Sequence, residues 1–113
     1  MIIMRYFIFL QLTFFSFNTF ADSVLKDLVA PSGFEITIFA DNLNTPRQIT
    51  ETDQGYVIVG SKKGDKIYAL LDNDLDGYAE KKILIAEGLQ NPTGVTTFEG
   101  DLYFAEIDTI WIV

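Results

Sequence analysis

The densest set of metal-type ligands in this chain lies in DNDLDGYAE, residues 72 to 80. Three aspartates at alternate positions followed by glycine form the pattern D-x-D-x-D-G. In it, carboxylates and a backbone carbonyl converge on a hard cation while glycine permits the tight bend. The expected oxygens are side-chain ones from Asp72, Asp74, Asp76 and Glu80, with a carbonyl from Tyr78. An EF-hand would place a bidentate glutamate at position 12, but that residue is Ile83, and no helical periodicity flanks the loop. A calcium-binding β-hairpin loop remains. The same segment also reads as a solvated hairpin turn in which Asp and Asn cap backbone amides. Four carboxylates in nine residues repel one another unless they are solvated or neutralised by a cation.

Little other chemistry is available. The chain has no histidine and no cysteine, which removes imidazole bases and ligands, thiolate metal sites and disulfides. Arg47 is the one arginine after residue 21. Its guanidinium suits an anionic ligand, or equally a carboxylate of the chain itself. Arg47, Gln48, Thr93 and Gly94 occupy matching places in two repeated segments, and Glu106 follows the apolar run LYFA, where it reads as a channel-facing charge or a solvated strand end. Tyr56, Tyr68, Phe98, Tyr103, Phe104 and Trp111 fall on strand-like segments and read as packing residues. There is no Gly-rich phosphate loop and no nucleophile elbow, so no catalytic residue is assigned.

The elements that must position these residues come from a repeat. FADNLNTPRQIT from Phe39 returns as IAEGLQNPTGVT from Ile85, an offset of 46 residues, with Ala40/Ala86, Leu43/Leu89, Pro46/Pro92 and Thr50/Thr96 identical. GYVIVGS from Gly55 then lies over GDLYFAE from Gly100, and DKIYAL from Asp65 over DTIWIV from Asp108. A β-rich recurrence of about 43 to 46 residues is the period of a propeller blade. Short strands with turn signals between them are expected near 47–52, 56–60, 66–71, 81–86, 93–98, 101–105 and 109–113, which makes the chain all-β. The alternation in FEITIFA predicts a further strand over Phe34–Ala40, and Pro46 predicts extended geometry at Thr45. The expected organisation is a signal peptide over 1–21, an arm over 22–33 with at most one helical turn, and a partial β-propeller over 34–113. The last part would hold one full blade and most of a second. A ring needs at least four blades and the chain stops within an apolar strand pattern, so it reads as a fragment.

Residues 1–21 carry Arg5 as their one charge and six phenylalanines, with Thr19 and Ala21 at the −3 and −1 positions of a cleavage site. That is the layout of a secretory signal peptide, and the polar interruptions Gln11, Thr13, Ser16 and Asn18 weigh against a membrane span. A periplasmic or secreted product without stable membrane insertion after cleavage is expected. The formal net charge is −8, which disfavours nucleic acid and anionic lipid, because both are bound through Lys and Arg.

PSGFEITIFADNLNTPRQIT, GYVIVGSKKGDKIYALLDNDLDGYAE, KKILIAEGLQNPTGV and GDLYFAEIDTIW, in that order, resemble the N-terminal part of the glucose/sorbosone dehydrogenase family. The resemblance implies a secreted six-bladed propeller that oxidises a sugar or sugar aldehyde by hydride transfer to pyrroloquinoline quinone (PQQ). It further implies calcium, an external electron acceptor, and a histidine base and cofactor contacts in later blades with no matching positions here. The fragment itself would be inactive. The alternative is a secreted propeller of the NHL or YWTD kind that binds a ligand or protein without chemistry.

Overall fold

The computed structural model describes residues 25–113; the expected signal peptide lies outside the described residues. Seven strands follow in chain order: β1 (Pro46–Glu51), β2 (Val57–Ser61), β3 (Ile67–Leu71), β4 (Lys81–Ala86), β5 (Gly94–Phe98), β6 (Asp101–Ala105) and β7 (Ile110–Ile112). They form two antiparallel meanders, a four-stranded sheet in the order β1-β2-β3-β4 and a three-stranded sheet in the order β5-β6-β7. The chain is all-β. Among the described residues no helix is long and apolar enough to cross a membrane.

The sequence repeat is also a repeat of register. Gln48 faces Gly60, Ile49 faces Val59, Thr50 faces Ile58 and Glu51 faces Val57. At the offsets of the repeat, Gly94 faces Ala105, Val95 faces Phe104, Thr96 faces Tyr103 and Thr97 faces Leu102. The third strands agree as well: Ile58↔Ala69 and Val59↔Tyr68 return as Tyr103↔Ile112 and Phe104↔Trp111. Side chains alternate across a strand, so a one-residue slip would exchange buried for exposed faces. Matching register therefore means that corresponding residues share corresponding faces.

The two sheets stack face to face. Ile58, Ala69 and Leu71 on one face of the first sheet, with the fully buried Ile67, meet Val95, Leu102 and Phe104 on the facing side of the second. Gly60 lies at this contact because a Cβ there would come within 2.6 Å of the Thr93 carbonyl oxygen and 2.7 Å of that of Pro92. Hydrogen bonds close the seam: Ser61 N–H donates to Pro92 O at 2.9 Å, Gln48 Nε2 to Val95 O at 3.1 Å and Thr97 Oγ1 to Glu51 O at 2.9 Å. With these bonds, the backbone groups and side chains at the junction find partners, as buried polar groups must.

The turns repeat too. Asn42 and Gly88, 46 residues apart, both have positive φ (53° and 77°), and so do Thr45 and Asn91 (46° and 55°), each directly before a proline. Thr45 thus corrects the expectation of extended geometry. Pro46 disfavours right-handed helical backbone at the preceding residue, but the tertiary contacts here select the left-handed region instead. Lys62 N–H donates to Thr45 O at 2.9 Å, and Gly64 packs closely against the Thr45 hydroxyl. In the second repeat Asn91 Oδ1 accepts from Lys63 N–H at 2.7 Å, a role suited to the residue type that best tolerates this conformation after glycine.

Phe34–Ala40 is the second correction, since it forms no strand. Its alternation supplies an apolar face but no ladder. Its backbone meets the rest of the fold where Ala79 N–H donates to Phe39 O at 2.7 Å, and Phe34 stays 75% exposed. Upstream, the arm begins with a turn closed by Leu28 N–H to Leu25 O at 3.1 Å.

Candidate metal site

β3 runs into the loop 72–80 from its buried end at Leu71, and β4 leaves it at Lys81. Strands therefore flank the loop and Ile83 lies within β4 opposite Ala69. A twelfth-position ligand is absent for that reason, and the loop is the bend of a hairpin.

Within the bend, each acidic side chain ties down a backbone amide. Asp72 Oδ2 accepts from Gly77 N–H at 2.9 Å and Asp76 Oδ1 from Tyr78 N–H at 2.8 Å. Asp74 Oδ1 accepts a longer bond from Asp76 N–H at 3.4 Å, and Glu80 Oε2 reaches back to Asn73 N–H at 3.0 Å. Leu75 takes a positive φ of 61° and Gly77 one of 90°. Only glycine occupies that region without steric cost, which accounts for Gly77 at the sharpest point of the bend.

One carboxylate oxygen from each of Asp72, Asp74, Asp76 and Glu80 can be chosen so that all four lie within 4.8 Å of one another. The loop brings together the four side-chain ligands expected from sequence; Tyr78, the expected carbonyl donor, sits beside them and is anchored through its N–H. Asp72 Oδ1 is shielded from solvent and accepts no hydrogen bond among the described residues. A buried acceptor left without a partner is costly unless a cation or water meets it. That oxygen and an all-oxygen donor set fit a hard cation such as calcium.

The cluster also couples two protonations. A hydrogen bond with the Glu80 side chain pushes the Asp74 carboxyl above its ordinary 3.8, helped by partial desolvation and the charges of Asp76 and Glu80. Glu80 moves down from 4.5, chiefly because Asn73 N–H bonds its ionised form. Asp74 therefore gives up its proton at higher pH than Glu80, and like charges crowd the bend when it leaves.

The other candidates are scattered. Arg47 is the bulged residue where the β1–β2 register shifts between Pro46 and Gln48. It is exposed and, among the described residues, pairs with no carboxylate; the ion pair there is Lys66–Glu87 at 3.6 Å. Gln48 serves the sheet seam, and Thr93 Oγ1 lies 3.4 Å from Ser61 O. Gly94 lines an apolar groove of about 480 Å³ on the second sheet. Glu106, half-buried just past the end of β6, accepts from the Gln90 N–H and, at 2.6 Å, from Trp111 Nε1. This clamp between the inter-sheet loop and β7 was not legible from sequence, because its partners stand 16 and 5 residues away. The packing role of the aromatics is visible at Phe104 and Trp111, whose rings stack with centroids 6.3 Å apart.

No family model matches the chain, and no solved structure matches it. A protein of Borreliella burgdorferi (strain ATCC 35210 / DSM 4680 / CIP 102532 / B31), described as "Uncharacterized protein", is 29% identical over 94 residues. The match covers 82% of this chain and 23% of that protein, so the chain spans about a quarter of the relative it resembles.

Proposed function

We propose that this chain forms two neighbouring blades of a β-propeller of the glucose/sorbosone dehydrogenase kind, with a calcium ion held in the first blade's β3–β4 loop. The observation that carries the reading is the register-for-register recurrence of β1-β2-β3 in β5-β6-β7, together with the stacking of the two sheets. Radial repetition of small meander sheets is how propellers bury faces that one sheet cannot cover alone. The matched stretch is 23% of the Borreliella relative, whose length leaves room for further repeats.

On this reading, the periplasmic or secreted whole protein oxidises a sugar or sugar aldehyde and passes electrons to an external acceptor. The described residues contribute scaffold and calcium binding. They do not fit PQQ, a polyanion that needs converging cationic donors: Arg47 stands exposed on a bulge, and the groove on the second sheet is lined by uncharged residues, with Gln48, Thr96 and Tyr103 its polar ones. No step of the oxidation is derived from them.

Two measurements test the proposal. Calorimetric titration with Ca²⁺ should show binding that Asp74→Ala and Asp76→Ala each weaken at least tenfold; equal weak heats in all three proteins would remove the metal. The protein in its whole reading frame should reduce an artificial acceptor with an aldose or sugar aldehyde when PQQ and calcium are supplied. A product with no turnover that retains a ligand would shift the reading to a binding propeller of the NHL or YWTD kind.

A further inference from the structure

Residues 34–42 form no strand, yet their second half lies against the first sheet as a strap. Among the described residues two hydrogen bonds hold it to the β3–β4 hairpin. Ala79 N–H donates to Phe39 O at 2.7 Å, and Lys82 Nζ donates to Asn42 O at 2.9 Å. The Tyr68 ring helps to orient the Lys82 ammonium, which stands 5.4 Å from its centroid. Ala40 and Asp41 share a cleft of about 160 Å³ with Leu70, itself 3% exposed. The first half of the segment is looser, with Phe34 75% and Ile36 40% exposed. A segment with so few buried contacts belongs to the low-stability end of a fold and opens locally.

Both holding groups belong to the acidic loop or to its exit into β4. Ala79 stands between Tyr78, whose N–H is bound by Asp76 Oδ1, and Glu80, whose Oε2 reaches back to Asn73 N–H. The side chains that a cation would gather therefore also set the place of the Ala79 amide. In the metal-free loop, carboxylate oxygens within 4.8 Å of one another repel and work to spread the bend. The Tyr78–Ala79 peptide is trans, so its carbonyl and its N–H point to opposite sides. A cation drawing on that carbonyl polarises the peptide and makes its N–H a stronger donor to Phe39.

We infer that calcium in the 72–80 loop latches residues 39–42 onto the first sheet. The strap closes beside Leu70 when the loop is loaded and opens more often when it is empty. This inference rests on the calcium reading of the loop and adds a regulated element to it. The coupling is reciprocal: docking of the strap raises calcium affinity by the factor by which calcium favours docking. The bistable element is the strap, and the Tyr78–Glu80 backbone joins it to the cation.

The test follows chymotryptic cleavage after Phe39 in the full chain, in chelator and at saturating Ca²⁺, beside calorimetric titration with Ca²⁺. Cleavage of the native protein reports how often the strap opens, and a free peptide of residues 34–45 serves as control for the protease. Saturation should slow cleavage of the chain about fivefold or more and leave the peptide unaffected, and Asp74→Ala should remove the slowing. Lys82→Met keeps an apolar stem but loses the bond to Asn42. It should speed cleavage and weaken calcium binding, with unchanged far-ultraviolet circular dichroism showing that it folds; if it does not fold, Ala79→Pro, which deletes the donor to Phe39, replaces it. Ordinary binding heats with cleavage indifferent to Ca²⁺, or a strap variant that binds Ca²⁺ as tightly as the unaltered chain, would overturn the latch and leave the metal site standing. Absence of binding heats in the unaltered chain would remove the calcium reading and the latch with it, so the two failures are told apart.

Discussion

At the scale of single residues, the acidic loop was the most legible part of the chain, because a nine-residue motif encodes its own geometry. The spacing of Asp72, Asp74, Asp76 and Glu80 was enough to place their oxygens within 4.8 Å. What it did not reveal was the asymmetry between Asp74 and Glu80, which depends on which carboxylate receives the Asn73 amide. On the proposed reading calcium competes with protons for Asp74, so its affinity should fall as pH drops toward the carboxylate range, and Asp74→Asn should lessen that fall. Titrations at stepped pH in buffers of different ionisation enthalpy would read this, and a pH-independent affinity down to 4 would contradict it. In the metal-free loop the two groups act oppositely on stability. Glu80, depressed, stabilises above 4.5 and loses that contribution as pH falls through its folded value. Asp74, raised, favours the folded state in its protonated form, a contribution lost as pH rises from 3.8 through its folded value. Both groups are exposed, and water screens these effects. A second residue prediction concerns Thr45, a β-branched side chain held at φ 46° where the other repeat uses Asn91. Left-handed backbone costs such a residue about 1–2 kcal/mol. Thr45→Asn should therefore raise stability by roughly 1 kcal/mol in urea denaturation, and a loss of stability would show that the Thr45 hydroxyl contact with Gly64 outweighs the strain.

Among elements, strand existence followed from turn chemistry more reliably than from alternation. Asp53-Gln54-Gly55 is the β1–β2 turn, with Gly55 N–H donating to Thr52 O and Thr52 N–H to Tyr56 O at 2.9 Å each. Glu99-Gly100, with φ of 51° and 90°, is the two-residue turn that matches the twist of β5 and β6. Phe34–Ala40 alternates as cleanly as any of these, yet among the described residues no strand pairs with it. Period-2 patterning shows that a segment can present one apolar face; pairing is a tertiary fact. Arg47 teaches the same lesson, since the bulge that unpairs it depends on β2. The element-scale prediction lies at the closest approach of the sheets. Gly60→Ala would drive a methyl group into the backbone of Pro92 and Thr93, atoms that cannot rotate away. The expected loss is about 1–3 kcal/mol, the range for overpacking a well-filled core. Gly94→Ala serves as the control, because its added carbon would meet only the Ala105 methyl, at 3.5 Å, and a Gly60→Ala protein as stable as that control would mean the seam is looser than drawn.

For the molecule as a whole, the question is whether the two sheets are one folding unit. Each sheet alone is a meander, and the buried side chains that complete the core between them, Ile58, Ile67 and Ala69 from one sheet with Val95, Leu102 and Phe104 from the other, belong to both. Repeat proteins draw their stability from such neighbour interfaces, and a unit deprived of its neighbour is marginal. Phe104 is the largest apolar side chain in this shared core and is 5% exposed. Phe104→Ala should cost about 3–5 kcal/mol through lost transfer energy and the cavity left behind. The informative readout is where that cost appears. If the sheets form one cooperative unit, hydrogen-exchange protection at the amides of β2 and β3 should fall together with that at β5 and β6, although Phe104 lies in the second sheet. If protection fell in β5-β6-β7 alone and the four-stranded sheet kept its own, each sheet would be a separate unit, and the face-to-face packing would contribute less than its burial implies.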